Sequence, residues 1–97
     1  MVYVIKRDGR EEEFSVEKVV VSCLKAGATL EKARKIAYII QGRIYEKDLS
    51  EITAKELTKQ ILELLKKENE EWYKNWLTYD RAVKRRKTEE ELKEQNR

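Results

Sequence analysis

A chain of 97 residues supports one small domain with a single core. Charged residues make up 42% of it, but 22 Lys and Arg nearly balance 19 Asp and Glu, and a net charge of +3 is too small to announce a nucleic-acid partner. One cysteine and no histidine exclude an internal disulfide and a zinc ribbon, and no apolar run reaches membrane-spanning length.

No signal-peptide pattern precedes the first β-prone run, so the chain reads as a soluble, cytoplasmic protein with no membrane partner. That run, Val2-Tyr3-Val4-Ile5, is β-branched and aromatic and predicts a strand. Asp8-Gly9 is the standard signal for a two-residue hairpin turn, with the chain returning antiparallel over residues 11–14. Such a turn sets Arg7 opposite Arg10, Ile5 opposite Glu12 and Tyr3 opposite Phe14. Arg7, Glu12 and Phe14 then share one face and Lys6 points to the other.

Ser15 is a good N-cap for a first helix running to about Ala26, with Gly27 ending it. The capping-box position holds Lys18 instead of Glu, at a cost of about a few tenths of a kcal/mol against the helix dipole. A second helix is expected from Thr29 to about Glu46, with Ala33, Ile36, Ala37, Ile40 and Ile44 facing the core. Thr53-Ala54-Lys55-Glu56 is a capping box opening a third helix, whose Leu57, Ile61, Leu64 and Leu65 repeat at helical intervals. Asn69 opens a fourth helix carrying Trp72, Trp76, Tyr79 and Val83 as an aromatic stripe. Tyr38 and Tyr73 fall off the main stripes and mark a candidate partner surface.

Past Val83 only Leu92 is apolar, so the domain is expected over residues 1–83 and a charged helix extension or tail over 84–97. The fold class is α+β, an N-terminal β-hairpin packed on a bundle of about four α-helices.

Chemistry concentrates at the first turn. Lys6 emerges from strand one, Lys18 from the start of helix one, and Ser15 exposes that helix's free N–H groups. A polyphosphate needs distributed, charge-assisted donors, and two lysines with a helix start supply them without a Gly-rich loop. Ordinary surface charge is the competing reading. A catalytic role lacks support: there is no histidine for neutral-pH proton transfer, no P-loop, and no carboxylate cluster with metal-ligand spacing. Cys23 lies on an apolar helix face and reads as a small buried hydrophobe.

The same residues carry a resemblance. Val4-Ile5-Lys6-Arg7-Asp8-Gly9, Glu12 to Phe14, Lys18-Val19 and Ser22-Cys23-Leu24-Lys25-Ala26-Gly27 together resemble the signature of the ATP-cone domain, with a matching helical pattern through roughly residue 85. The resemblance implies a regulatory module that senses ATP or dATP, with or without magnesium. Its pocket would be built from the counterparts of Val4, Lys6, Arg7, Glu12 and Lys18. Lys6, Arg7 and Lys18 would hold phosphates, and Val4 would contribute apolar and main-chain contact near the base. Glu12 would accept from ribose hydroxyls or orient a lysine. Thr53 falls where the family often places a hydroxyl near the base, and Ser15 where some members carry a longer polar side chain.

Family members are usually fused to ribonucleotide reductase chains or to repressors of reductase genes. This chain carries neither a reductase barrel nor a zinc ribbon, so the resemblance implies a stand-alone sensor or a domain of a longer protein. It also implies that nucleotide occupancy changes a homo-oligomer or the contacts with a larger protein partner. Two rivals are an interaction module that has lost nucleotide binding and a nucleic-acid-associated protein using Lys84-Arg85-Arg86-Lys87. Glu89, Glu90 and Glu91 follow that cluster and oppose a polyanion, which makes nucleic acid the less favoured partner.

Overall fold

A computed structural model describes the backbone of residues 1–84 and the side chains through Tyr79. The order is β1 (Tyr3–Ile5), β2 (Glu11–Glu13), α1 (Val16–Lys25), α2 (Leu30–Glu46), β3 (Glu51–Thr53), α3 (Ala54–Glu68) and α4 (Glu70–Lys84). This is the expected α+β architecture with one addition: β3 makes the hairpin a three-stranded sheet of order β2-β1-β3.

The hairpin register departs from expectation by one residue. Tyr3 pairs with Glu13, Val4 with Glu12 and Ile5 with Glu11. The Lys6 N–H donates to the Arg10 carbonyl (2.8 Å) and the Gly9 N–H to the Lys6 carbonyl (3.0 Å), so the loop is Arg7-Asp8-Gly9. A two-residue turn of the Asp-Gly type needs positive φ at both central residues. Here only Gly9 has it, at +90°. Asp8 keeps negative φ and spends its carboxylate inside the loop, accepting from the Arg10 N–H (3.1 Å) and Arg10 Nε (2.7 Å). The slip moves every β2 side chain to the other face, so Lys6, not Arg7, shares a face with Glu12.

The strand β3 runs parallel to β1, pairing Val4 with Ile52 and Ile5 with Thr53. The crossover between them is α1 and α2, as a parallel pair requires. Three residues with one apolar member carry no legible alternation, which is why β3 escaped the sequence reading. Its consequence is positional: α3 begins directly beside the hairpin.

The helices begin and end on local signals. Ser15, Thr29 and Thr53 accept from the N–H of Lys18 (3.3 Å), Lys32 (3.2 Å) and Glu56 (3.1 Å). Asn69 ends α3 and caps α4, its side-chain oxygen accepting from the N–H groups of Glu71 (2.9 Å) and Trp72 (3.3 Å). Both α1 and α2 close in the same motif. Ala28 N–H donates to Cys23 O and Gly27 N–H to Leu24 O, while Leu49 N–H donates to Ile44 O and Asp48 N–H to Tyr45 O. The left-handed position is Gly27 (φ +103°) in the first and Asp48 (φ +53°) in the second.

The core draws Val19, Val20 and Cys23 from α1, and Ala33, Ile36, Ala37, Ile40 and Ile44 from α2. To these α3 adds Ile61, Leu62, Leu64 and Leu65, and α4 adds Trp76 and Leu77. Each fully buried aliphatic side chain contributes about 1.5–3 kcal/mol. Two polar bonds orient α4: Trp76 Nε1 donates to Ser22 Oγ (2.8 Å), and Asn75 Nδ2 donates to the Ala26 carbonyl at the end of α1 (3.0 Å). Within the aromatic stripe Trp76 is buried and Trp72 and Tyr79 are half-buried; the Val83 side chain lies outside the described residues. Residues 85–97, with most of the basic cluster, also lie outside them.

Candidate functional site

Where β1, β2 and the start of α1 meet α3, the surface folds inward. Val4 and Lys6 project from β1, Glu12 and Glu13 from β2, and Phe14, Ser15, Lys18 and Val19 from the entry into α1. Leu57 and Ile61 of α3 close the floor. A second concavity of about 360 Å³ adjoins the first, sharing Val4, Lys6, Leu57 and Ile61 and adding Arg7, Asp8, Arg10, Ser22, Ala54, Thr58 and Trp76. Its volume is in the range of small-molecule sites. The floor is apolar and the rim carries four cations, Lys6, Arg7, Arg10 and Lys18, interleaved with the carboxylates of Asp8, Glu12 and Glu13.

Of the expected site residues, Val4, Lys6, Glu12, Ser15 and Lys18 line the first concavity together. Arg7 lines the adjoining one. Thr53 lines neither: its hydroxyl accepts from the Glu56 N–H, and its position in β3 pairs it with Ile5. The Ser15 hydroxyl oxygen likewise caps α1, although its O–H is free to rotate and donate.

The charges are already engaged with one another. Lys6 Nζ lies 3.1 Å from Glu12 Oε2, and Glu12 Oε1 contacts Lys18 Nζ. Asp8 and Arg10 pair within the loop, where the Arg10 N–H, then its guanidinium, holds the Asp8 carboxyl below its ordinary range. The first turn of α1 adds N–H groups without intrahelical partners and the positive end of the dipole. The arrangement can hold an anion on its rim while apolar atoms contact its floor.

The sequence does not single out Phe14, Ala54, Leu57, Thr58 and Ile61 as lining residues. The α3 members become neighbours of the hairpin through the β1–β3 pairing. The capping box at Thr53 marked where α3 starts but not what it starts beside. Cys23 is fully buried, and burial pushes its thiol up to about 11. Tyr73 packs against the core under Lys66 (5.1 Å to the ring centre), whereas Tyr38 is exposed. Among the described residues no group of His, Cys, Asp or Glu gathers as a metal cluster, and no helix is long and apolar enough to cross a membrane.

A three-stranded sheet on four helices, with an apolar cleft beside a hairpin of mixed charge, defines a small α+β module with a candidate site at the hairpin. Residues 2–85 match the family model of the ATP cone domain, and the chain belongs to the ATP-cone family.

Relatives among curated proteins agree. The transcriptional repressor NrdR of Caldicellulosiruptor saccharolyticus is 33% identical over 87 residues, covering 86% of this chain and 57% of the relative. The transcriptional repressor NrdR of Dictyoglomus thermophilum is 38% identical over 69 residues, covering 67% and 46%. An uncharacterized protein of Archaeoglobus fulgidus is 57% identical over 37 residues, covering 38% of this chain and 79% of its own. The chain thus spans about half the length of the repressors it matches. With transcriptional repressors among the relatives, the expectation that nucleic acid is a disfavoured partner, drawn from charge balance, lacks support.

Proposed function

We propose that the double concavity binds an adenine nucleotide, ATP or dATP, and that the domain is a regulatory module whose partner contacts depend on that occupancy. One observation carries the reading: cations from the hairpin and from the first turn of α1 converge at a helix N-terminus over an apolar floor, in a chain of the ATP-cone family. Lys6, Arg7 and Lys18 hold phosphates, with the first-turn N–H groups and the Ser15 O–H as neutral donors. Val4, Leu57 and Ile61 offer apolar contact to the base. Thr53 acts on the site through α3, which its cap starts, more than by touching the ligand. Magnesium, where it accompanies the ligand, arrives on the polyphosphate.

The role is regulatory and not catalytic. The chain has no histidine, and its one thiol is buried and held protonated. A nucleotide alters a homo-oligomer or a larger protein partner only by binding two states with different affinity. A module that senses ATP works in the cytoplasm, where the nucleotide is.

Calorimetric titration with ATP and dATP tests this. Saturable binding at micromolar affinity, lost in Lys6→Ala and Lys18→Ala while thermal melting is kept, is the expected result. No heat at two temperatures would hand the fold to the interaction-module reading, and full affinity in both variants would move the pocket elsewhere.

A further inference from the structure

The lysines of the concavity are tied to each other through one carboxylate. Glu12 gives one oxygen to Lys6 Nζ, at 3.1 Å, and the other to Lys18 Nζ. The three residues stand on β1, β2 and the first turn of α1, so the carboxylate sits where those elements converge. An oxygen for each ammonium is also what a phosphoryl group would present to the same pair. Each ammonium keeps further N–H donors, but an anion that approaches both lysines from the side Glu12 holds competes with it for them.

Resting on the nucleotide reading above, we propose that Glu12 is an internal competitor. Its carboxylate occupies the place of a phosphate on Lys6 and Lys18 and sets the affinity threshold of the site. Accessibility suits that role. The side chains of Lys6 and Lys18 are 42% and 68% exposed and Glu12 is 33% exposed, so these pairs have surface character. Pairs of that kind shift an equilibrium only a few fold. A polyphosphate, with several charges and further donors on Arg7 and the helix start, outcompetes them, whereas a weak single anion does not. The carboxylate meanwhile offsets the cost of Lys18 in the first turn of α1 when no ligand is bound.

Tripolyphosphate, which has neither ribose nor base, separates this role from a sugar contact. Titrating it and ATP into wild type, Glu12→Gln and Glu12→Gln/Lys6→Ala, in buffer with EDTA and no divalent cation, reads the effect; Trp76 in the lining gives a fluorescence signal alongside heat. Glu12→Gln is expected to tighten tripolyphosphate about threefold to tenfold, and the double variant to lose that gain. Tighter tripolyphosphate together with weaker ATP still supports the competitor and adds a sugar contact. Unchanged or weaker tripolyphosphate in a folded Glu12→Gln, repeated in Glu12→Ala, overturns the proposal. If wild type still binds ATP in that case, the nucleotide reading survives; if no variant binds either ligand, both fall.

Discussion

Two clusters in this domain have the same composition and different surroundings. At the hairpin, Glu12 bridges Lys6 and Lys18. At the far end of α3, Glu68 bridges Lys32 (3.4 Å) and Lys35 (2.6 Å). In both, a lysine sits in the first turn of a helix, against the dipole, and a carboxylate from another element compensates it. The Glu68 lysines, however, stand one turn apart on a single helix, so the cluster is a stitch between α2 and α3. The Glu12 lysines come from a strand and a helix and open onto an apolar cleft. A Lys-Glu-Lys cluster is therefore not a site by its charges. It becomes a candidate when the elements that supply it leave a concavity between them.

The largest expected effect separates the two clusters by function. Lys6→Ala and Lys18→Ala should each weaken ATP binding by tenfold or more, since charge-assisted hydrogen bonds carry about 1.5–3 kcal/mol. Lys32→Ala and Lys35→Ala should leave affinity unchanged in the same calorimetric titration. Equal losses from both pairs would erase the distinction.

Acid stability separates them in the other direction. The Lys35 hydrogen bond, then Lys32, holds the Glu68 carboxyl below its ordinary value of 4.5. A depressed folded-state value means the stabilisation is full above that ordinary value and fades as pH falls through the folded one. Glu68→Gln should therefore lower the melting temperature at neutral pH and flatten its decline in acid, with ATP affinity intact at pH 7. A parallel decline in wild type and variant would show that the stitch contributes nothing.

Helix ends give smaller shifts. Gly27 and Asp48 occupy equivalent left-handed positions after α1 and α2. Gly27→Ala should destabilise by about 1 kcal/mol or more, and Asp48→Gly should be neutral or stabilise by a few tenths, measured by urea unfolding. A Cβ at Gly27 would also meet Trp72 Cδ1 at 3.5 Å, an ordinary contact, so the strain is in the backbone. The smallest effect is chemical: with its thiol raised to about 11 by burial, Cys23 should resist alkylation at pH 8 until the domain is unfolded.

Much of the helical framework is legible without coordinates. Ser15, Thr29, Thr53 and Asn69 start helices where their capping chemistry says they should, and the α2 residues expected in the core are all buried. Those signals are local, spanning three or four residues of one segment. The hairpin register was not legible, because it turned on whether Asp8 would take positive φ or fold its carboxylate onto Arg10. Nor was β3, a strand of three residues whose hydrogen bonds go to a segment almost fifty positions earlier.

By itself the sequence determined which residue types crowd the first turn, where the helices start and stop, and which helix faces are apolar, since periodicity and capping act within a few residues. Only the tertiary structure decided that Lys6 shares a face with Glu12, that Leu57 and Ile61 lie under them, and that Thr53 lines neither concavity. Those relations depend on strand register and on a parallel pairing across two helices. A one-residue slip reverses the first, and no local pattern encodes the second.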